Sequence, residues 1–376
     1  MTKQEMDATP GGEAAEPIVM HGSRRTYRVS FVASASVSLR RAAGEHHHVV
    51  VDARVAALWP ELLAPFRPEQ VIQVDATEST KSLEGVESIL TSLTTVGISR
   101  SATIIVIGGG VTQDAASFAA SILYRGLDWV FYPTTLLSQA DSCIGSKTSI
   151  NFRAAKNQLG GFHPPAEVVI ASDVRTTLPM VDIASGIGEI AHYLLVSGEQ
   201  DFQLLESASE WNESTLTELV RRSLAIKKTY VERDEFDTGE RLILNFGHTF
   251  GHALEAATMH RLPHGLAVAF GIDIANVFAC RRGLLAPRTR DRVRMTLESV
   301  WRGQSLFGVS VDGVVEALRR DKKGDREVAQ PILMRDIGDM MQVPVSIDNE
   351  LRPLIEEYLS SSLYAQPLTR GGEKQP

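Results

Sequence analysis

The apolar positions change their period about halfway along the chain. In the first half, short β-branched runs alternate with helical patterns. Tyr27–Val32, His48–Asp52, Val71–Asp75, Thr103–Ile107 and Trp129–Tyr132 read as strands, and Gln113–Tyr124 reads as a helix. Strands separated by helices predict a parallel α/β sheet. From about Asp182 onward helical spacing dominates, as in Phe202–Glu210, Ser214–Arg233 and Thr249–Ala257, with no second set of alternating strands. The pattern predicts a nucleotide-type α/β domain over 26–177 and a mostly α-helical domain over 178–365, with the boundary near Ser172–Asp182. The polar, Gly- and Pro-containing stretch 1–25 reads as a disordered tail and 366–376 as a flexible one.

Composition then narrows the classes. At 376 residues and 43% hydrophobic content, the chain has the length of two domains. A net charge of -8 gives no electrostatic footprint for nucleic acid or anionic membranes, although it leaves room for a local basic pocket. Cys143 and Cys280 are far apart and match no zinc spacing. That usage fits a reducing cytoplasm rather than a disulfide framework. No apolar run reaches the roughly 18 residues that span a bilayer, and the N-terminus lacks the apolar core of a signal peptide.

Several segments carry candidate chemistry. The strand Thr103–Ile107 runs straight into Gly108-Gly109-Gly110 and then into a helix. Residues without Cβ let backbone N–H groups approach a pyrophosphate, and the helix offers its positive end. The run is not the GxGxxG fingerprint, and a tight structural turn has the same signature. Asp52, at a strand end, suits ribose hydroxyls or an ordinary cap. His248 and His252 are four apart and share a helical face, with His264 close behind. Glu189 and His192 are three apart on another helix. A carboxylate plus two histidines makes a three-ligand metal site with open positions. A basic set, Arg125, Lys147, Lys156, Lys227, Arg241 and Lys322-Lys323, lies partly in Gly- or Asn-rich contexts that are unusual for a plain solvated surface.

The segments GGGVTQDAASFAASILYRG, YPTTLLSQADSCIGSKTSIN, KNQLGGFHPP, RLILNFGHTFGHALEA and HGLAVAFGI, with DKKGD and ILMRDIG as weaker matches, together resemble the sugar phosphate cyclase family typified by dehydroquinate synthase. The match runs from about Thr77 to Gly338 in consistent order and spacing. The resemblance implies a Rossmann-like NAD-binding domain followed by a helical metal-binding domain, in a homodimer. It implies NAD between the domains and one divalent metal, zinc or cobalt, on Glu189, His248 and His264. It has NAD meet Glu78, Lys81, Gly109, Gly110, Val111, Asp114, Thr134 and Thr135. A small phosphorylated sugar would meet Asp141, Lys147, Lys156, Asn157, Lys227, Arg241, Asn245 and one of Lys322 and Lys323, and Arg125 would reach the partner subunit's site. His252 becomes an acid/base or phosphate-facing group. The family chemistry oxidises a secondary alcohol with NAD, eliminates phosphate, returns the hydride and closes a carbocycle by an aldol step, with the metal as Lewis acid. The protein's part is to orient the substrate and stabilise oxyanions.

The chain departs from the family pattern at three points and keeps it at a fourth. His192 stands where the family usually has a lysine that contacts substrate. Either it joins or tunes the metal site, since Glu-x-x-His is also a ligand spacing, or it binds a substrate hydroxyl. Leu266 stands where a glutamate is common, which predicts a lost outer hydrogen bond at the metal site. Ser146 and Ser149 replace glycines, and Cys143 replaces a small residue, beside Lys147. Arg241 and Asn245 keep the pair suited to a carboxylated substrate, because the guanidinium fork binds both oxygens. The expectation is a carbon–oxygen lyase that releases phosphate, with specialisation for secondary metabolism within its range. A polyol dehydrogenase and an inactive homologue with a binding role are the alternatives. The phosphate-suited lysines weigh against the first and the intact Glu189, His248 and His264 against the second.

Overall fold

The computed structural model describes residues 16–153, 155–320 and 327–361. The described residues divide into two units, those within 16–134 and 146–176, and those within 135–145 and 177–361. The short segment 135–145 therefore belongs with the second unit, although it lies within the stretch that the sequence pattern assigns to the first.

The first unit holds nine strands: β1 (Ile18–His21), β2 (Thr26–Val32), β3 (His47–Asp52), β4 (Val71–Val74), β5 (Thr103–Gly108), β6 (Asp128–Pro133), β7 (Lys147–Phe152), β8 (Ala155–Phe162) and β9 (Glu167–Ala171). Seven of them form one sheet in the order β1-β2-β9-β6-β5-β3-β4. Every pairing is parallel except β1 with β2. Helices α1 (Ala35–Ala42), α2 (Ala53–Leu58), α3 (Leu83–Thr95) and α4 (Gly110–Ile122) connect the strands. Val49 to Val51 and Ile104 to Ile107 are buried without alternation, as strands covered on both faces must be. Leu39, Leu62, Tyr132 and Val169 pack with them into one core.

The edge strand β1 corrects the expectation of a disordered tail to residue 25. Ile18, Val19 and Met20 form a short apolar run that pairs antiparallel with Tyr27 to Val29, and Met20 is fully buried. Four residues are too few to show a period, so the polar composition around them hid the strand. The hairpin of β7 and β8 stands apart from the main sheet.

In the second unit the helices are α5 (Met180–Ser197), α6 (Glu199–Glu206), α7 (Glu213–Arg233), α8 (His248–Ala257), α9 (His264–Arg281), α10 (Pro287–Val300), α11 (Val311–Arg320) and α12 (Arg352–Ser360). From Gly265 to Ala279 nearly every side chain of α9 is buried, which makes it the central helix. Two small ladders follow, Val328–Ala329 with Val345–Ser346 and Ile332–Asp336 with Asp339–Gln342. Strands of two to five residues carry no readable alternation, and the sequence pattern missed them. Among the described residues, no helix is long and apolar enough to cross a membrane.

Backbone-to-backbone contact brings three helices of this unit together. A Cβ at Gly265 would lie 1.7 Å from the Ser185 carbonyl oxygen, and one at Gly188 would lie 2.1 Å from the carbonyl oxygen of Gly265. Only hydrogen fits there, so α5 and α9 touch at the residues beside Glu189 and His264. The Gly265 N–H also donates to Ser185 Oγ at 3.0 Å. On the other side of α9, a Cβ at Gly271 would lie 2.1 Å from the Gly247 carbonyl oxygen, which sets α8 equally close.

Candidate active site

The sheet of the first unit reverses its direction of growth between β3 and β5. From β3 the chain moves outward to β4, then returns to lay β5 and β6 on the other side of β3. A crevice at such a switch point, at the carboxyl ends of the strands, is where open α/β sheets bind ligands. Val51 pairs with Ile107, so the strand ends that carry Asp52 and Gly108 are neighbours. After Gly109 in extended conformation, α4 starts at Gly110. The first amide N–H groups of a helix have no intrahelical partner and form a ready anion site; here they belong to Gly110, Val111 and Thr112. A Cβ at Gly108 would meet Thr112 at 2.6 Å, so this tight turn requires glycine. Asp52 Oδ1 accepts the Arg54 N–H at 2.8 Å and caps α2.

Around the head of α4 stands a charged relay. Lys81 Nζ lies 2.6 Å from Asp114 Oδ2, and burial raises the Asp114 carboxyl even though Lys81 opposes it. Asn151 donates to Glu78 at 2.6 Å, Lys156 Nζ lies 3.8 Å from the same carboxylate, and the Asn157 N–H donates to Asn151 Oδ1 at 3.0 Å. Ser146 adopts a φ of 62°, the left-handed region that favours the glycine it replaces. Thr134 closes β6, its N–H bonded to the Gly108 carbonyl at 2.9 Å.

The second unit gathers Glu189 and His192 from α5, His248 and His252 from α8, and His264 from α9. Glu189 is 2% exposed. Its Oε1 lies 3.5 Å from His248 Nε2 and its Oε2 lies 3.4 Å from His264 Nε2. Both imidazoles turn Nε2 inward because Nδ1 is occupied. His264 Nδ1 is 3.0 Å from Glu255 Oε2, and His248 Nδ1 is 3.2 Å from the Phe246 carbonyl oxygen. Outer anchoring of this kind is what holds metal-bound histidines. Burial alone would raise Glu189, but the neighbouring His248 and His192 hold it well below the usual carboxylate range. Burial would lower His264, but the neighbouring carboxylates of Glu189 and Glu255 push it up to about 10.

These residues fit a divalent metal. Donors about 2.1 Å from a tetrahedral ion stand about 3.4 Å apart, which matches the two Glu189–imidazole separations. The buried Glu189 Oε2 has no hydrogen-bond partner among the described residues, so the pocket holds acceptors that ask for a cation. Imidazole and carboxylate suit zinc or cobalt equally. His252 is exposed, and its ring lies 5.4 Å from that of His248 and 5.5 Å from that of His264, at the open side of the cluster.

A second cluster adjoins the first through Tyr193, whose ring packs tilted at 41° against His192 at 3.8 Å between centroids. The Tyr193 hydroxyl donates to Asp141. Lys227 Nζ donates to the Asp141 carboxylate and to its backbone carbonyl, each at 2.7 Å. Burial would raise the Asp141 carboxyl, but Lys227 and Tyr193 hold it below the usual value. Arg241 is 6% exposed, with Nη1 tied to the Glu235 carbonyl oxygen at 2.9 Å. A Cβ at Gly145 would meet Arg241 at 2.7 Å and Lys227 at 3.8 Å, so glycine there makes room for both cations. Asn245 donates to the Leu242 carbonyl oxygen at 2.9 Å.

Residues 71–185 match the 3-dehydroquinate synthase N-terminal family, and residues 186–324 match its C-terminal counterpart. A 3-dehydroquinate synthase of Methylacidiphilum infernorum is 41% identical over 275 residues, covering 73% of this chain and 76% of that protein. The chain belongs to the 3-dehydroquinate synthase family. Among solved structures, the 2-epi-5-epi-valiolone synthase ValA of Streptomyces hygroscopicus, with NAD+ and Zn2+ bound, superposes with a TM-score of 0.78 at 28% identity, covering 90% of this chain and 99% of that one. A 2-deoxy-scyllo-inosose synthase complexed with carbaglucose-6-phosphate, NAD+ and Co2+ shares the fold, with a TM-score of 0.82 at 22% identity, covering 91% of this chain and 99% of that one.

Within this family frame, the residues singled out in the sequence fall into two groups. Glu189, His192, His248, His252 and His264 form one cluster, and Asp141, Lys227 and Arg241 a second, both in the second unit, which also holds Thr135. Asp52, Glu78, Lys81, Gly109, Gly110, Val111, Asp114, Thr134, Lys147, Lys156 and Asn157 lie in the first unit, as does Arg125, in a turn with left-handed Tyr124 and Arg125 before Gly126. Lys322 and Lys323 lie outside the described residues. The expectation that Leu266 costs the metal site an outer hydrogen bond is corrected. Leu266 is fully buried in the core of α9, and Glu255 of α8 supplies the carboxylate to His264 instead. Glu255, Tyr193 and Asn151 escaped the sequence reading. Glu255 follows His252 by three residues on one helical face, a spacing that by itself reads as solvated surface.

Proposed function

We propose that this chain is a carbon–oxygen lyase that converts a carboxylated sugar phosphate into a carbocycle, releasing inorganic phosphate without net redox change. The observation that carries the reading is the Glu189–His248–His264 centre with anchored imidazoles, joined through His192 and Tyr193 to the buried Asp141–Lys227–Arg241 cluster. Glu189, His248 and His264 would hold a divalent ion. Gly109, Gly110 and Val111 at the head of α4, with Asp52, Glu78, Lys81, Asp114 and Thr134, would hold NAD. When bound, NAD takes up and returns a hydride while the metal polarises the alcohol oxygen as a Lewis acid. Arg241, with one edge of its fork tied back to Glu235, presents the rest of the guanidinium to a carboxylate. Lys227, paired with the Asp141 carboxylate at 2.7 Å, would donate to substrate oxygens. His252, exposed at the edge of the metal cluster, holds or moves a proton. Lys147, Lys156 and Asn157, with Lys322 or Lys323, would meet the phosphate, and Asn245 a hydroxyl. Arg125 would act across a homodimer.

Phosphate release in the presence of NAD+ and Zn2+ or Co2+ tests the reading. A carboxylated seven-carbon keto sugar phosphate should release phosphate without accumulating NADH. Release from sedoheptulose 7-phosphate or glucose 6-phosphate alone would move the substrate to the neutral sugars. Net NADH from an unphosphorylated polyol would replace the lyase with a dehydrogenase. Silence with neither metal nor NAD bound would leave only a binding role.

A further inference from the structure

His192 is the one member of the metal cluster that the proposed reaction leaves without a task. It stands where the family usually has lysine, and the structure gives it an environment that neither a surface residue nor a settled core histidine would have. It is 1% exposed, and neither Nδ1 nor Nε2 has a hydrogen-bond partner among the described residues. A buried polar atom left unpaired costs about 1–3 kcal/mol. Apart from the Glu189 backbone beside the ring, the described residues offer this imidazole no closer partner, and the position suits a stronger one.

The ring is aimed at the carboxylate of the metal centre. His192 Nδ1 lies 3.7 Å from Glu189 Oε1, beyond hydrogen-bond length, and the same oxygen lies 3.5 Å from His248 Nε2. One donor atom each from Glu189, His192 and His248 fall within 4.8 Å of one another, as do one each from His248, His252 and His264, so His248 joins the two sets and an ion drawing on both His192 and His264 needs side-chain adjustment. Cis donors around an ion with bonds of about 2.1 Å stand about 3.0–3.4 Å apart, so the gap to close is a few tenths of an ångström. The His192 and His248 rings meet edge to face at 5.0 Å. Glu189 and His192 are one turn apart on α5, the i, i+3 spacing that delivers a carboxylate and an imidazole to one ion in helical metal sites.

We propose that His192 is a fourth protein donor to the ion held by Glu189, His248 and His264. The inference rests on the metal reading given above and extends it. Replacing a lysine ammonium by a neutral imidazole removes a positive charge beside the ion and adds a lone pair. The metal is held by one more side chain, and one fewer coordination position is open to substrate oxygens.

The test uses the full chain, stripped of metal and titrated with Co2+ alone. In the unsubstituted protein each cobalt-bound imidazole contributes one paramagnetically shifted, exchangeable N–H resonance. Three such signals support the proposal, and two overturn it while leaving the Glu189–His248–His264 site intact. His192→Gln and His192→Phe should weaken Co2+ binding at least about tenfold in competition with a chelator, by comparison with the 10–100-fold lost when mere outer partners are removed. Their visible cobalt bands should shift as well. Unchanged affinity and bands in both folded variants overturn the proposal. Failure of the unsubstituted protein to bind Co2+ at all overturns both the proposal and the metal reading beneath it.

Discussion

At the scale of single residues, the metal centre depends on atoms one bond beyond the ligands. His264 faces Glu189 through Nε2 because Glu255 occupies its Nδ1 at 3.0 Å. Replacing Glu255 by alanine leaves every ligand in place and removes only that anchor. Metal affinity should fall about 10–100-fold with little change in far-ultraviolet circular dichroism, as read by chelator competition; an affinity equal to the parent's would mean that His264 is held by packing alone. The candidate ligand set came from the family resemblance, because the spacing itself offered only His248 and His252 four apart, His264 nearby and Glu189 three before His192, each with an ordinary structural use. Glu255 was not part of that set. A lone acid after a histidine motif reads as a solvated helix face, and only the fold shows that α9 brings His264 over it. Leu266 misled in the opposite sense. The sequence showed a missing carboxylate, while the fold supplies one from another helix.

At the scale of elements, the site is built by how closely helices pass. Gly188 and Gly265 allow α5 and α9 to meet backbone to backbone, which places Glu189 next to His264. A methyl group at residue 265 would stand 1.7 Å from the Ser185 carbonyl oxygen, an overlap that no rotamer change relieves. Gly265→Ala should cost about 1–3 kcal/mol or more through overpacking. It should also cost metal binding out of proportion to stability, because the wedge separates two ligands. Thermal unfolding and Co2+ titration of the same variant distinguish the two losses; a destabilised protein with parental Co2+ affinity would show that the ligands reposition independently of the helix contact. The alternation of strands and helices in the first unit and the long helices of the second were readable because each spans several periods. The edge strand β1 and the two small ladders were not, since two to five residues carry no period and their pairing is set by distant partners. The helix contact at Gly188 and Gly265 was invisible for a related reason, because a glycine in a helical pattern does not announce which backbone approaches it.

At the scale of the molecule, the two units carry separate ligand sets, and this gives a spatial prediction. All the candidate metal ligands lie on α5, α8 and α9, whereas the anion-binding turn lies between β5 and α4. A ligand that binds only the folded state stabilises it by RT ln(1 + [L]/Kd), about 2.7 kcal/mol at a hundredfold excess over Kd. Amides whose exchange requires opening of the binding unit slow accordingly, while amides that exchange by unrelated local openings do not. Adding Zn2+ or Co2+ to the stripped chain should therefore slow hydrogen exchange over residues 180–197 and 248–281 while β3, β5 and β6 keep their rates. Adding NAD+ should protect the end of β5 and the first turn of α4. Slowing of both units to the same degree by the metal alone would mean that they open as one cooperative body. Protection of the sheet without the helices would place the metal elsewhere. Protection confined to α5, α8 and α9 would tie the ion to the residues that the helix contacts bring together.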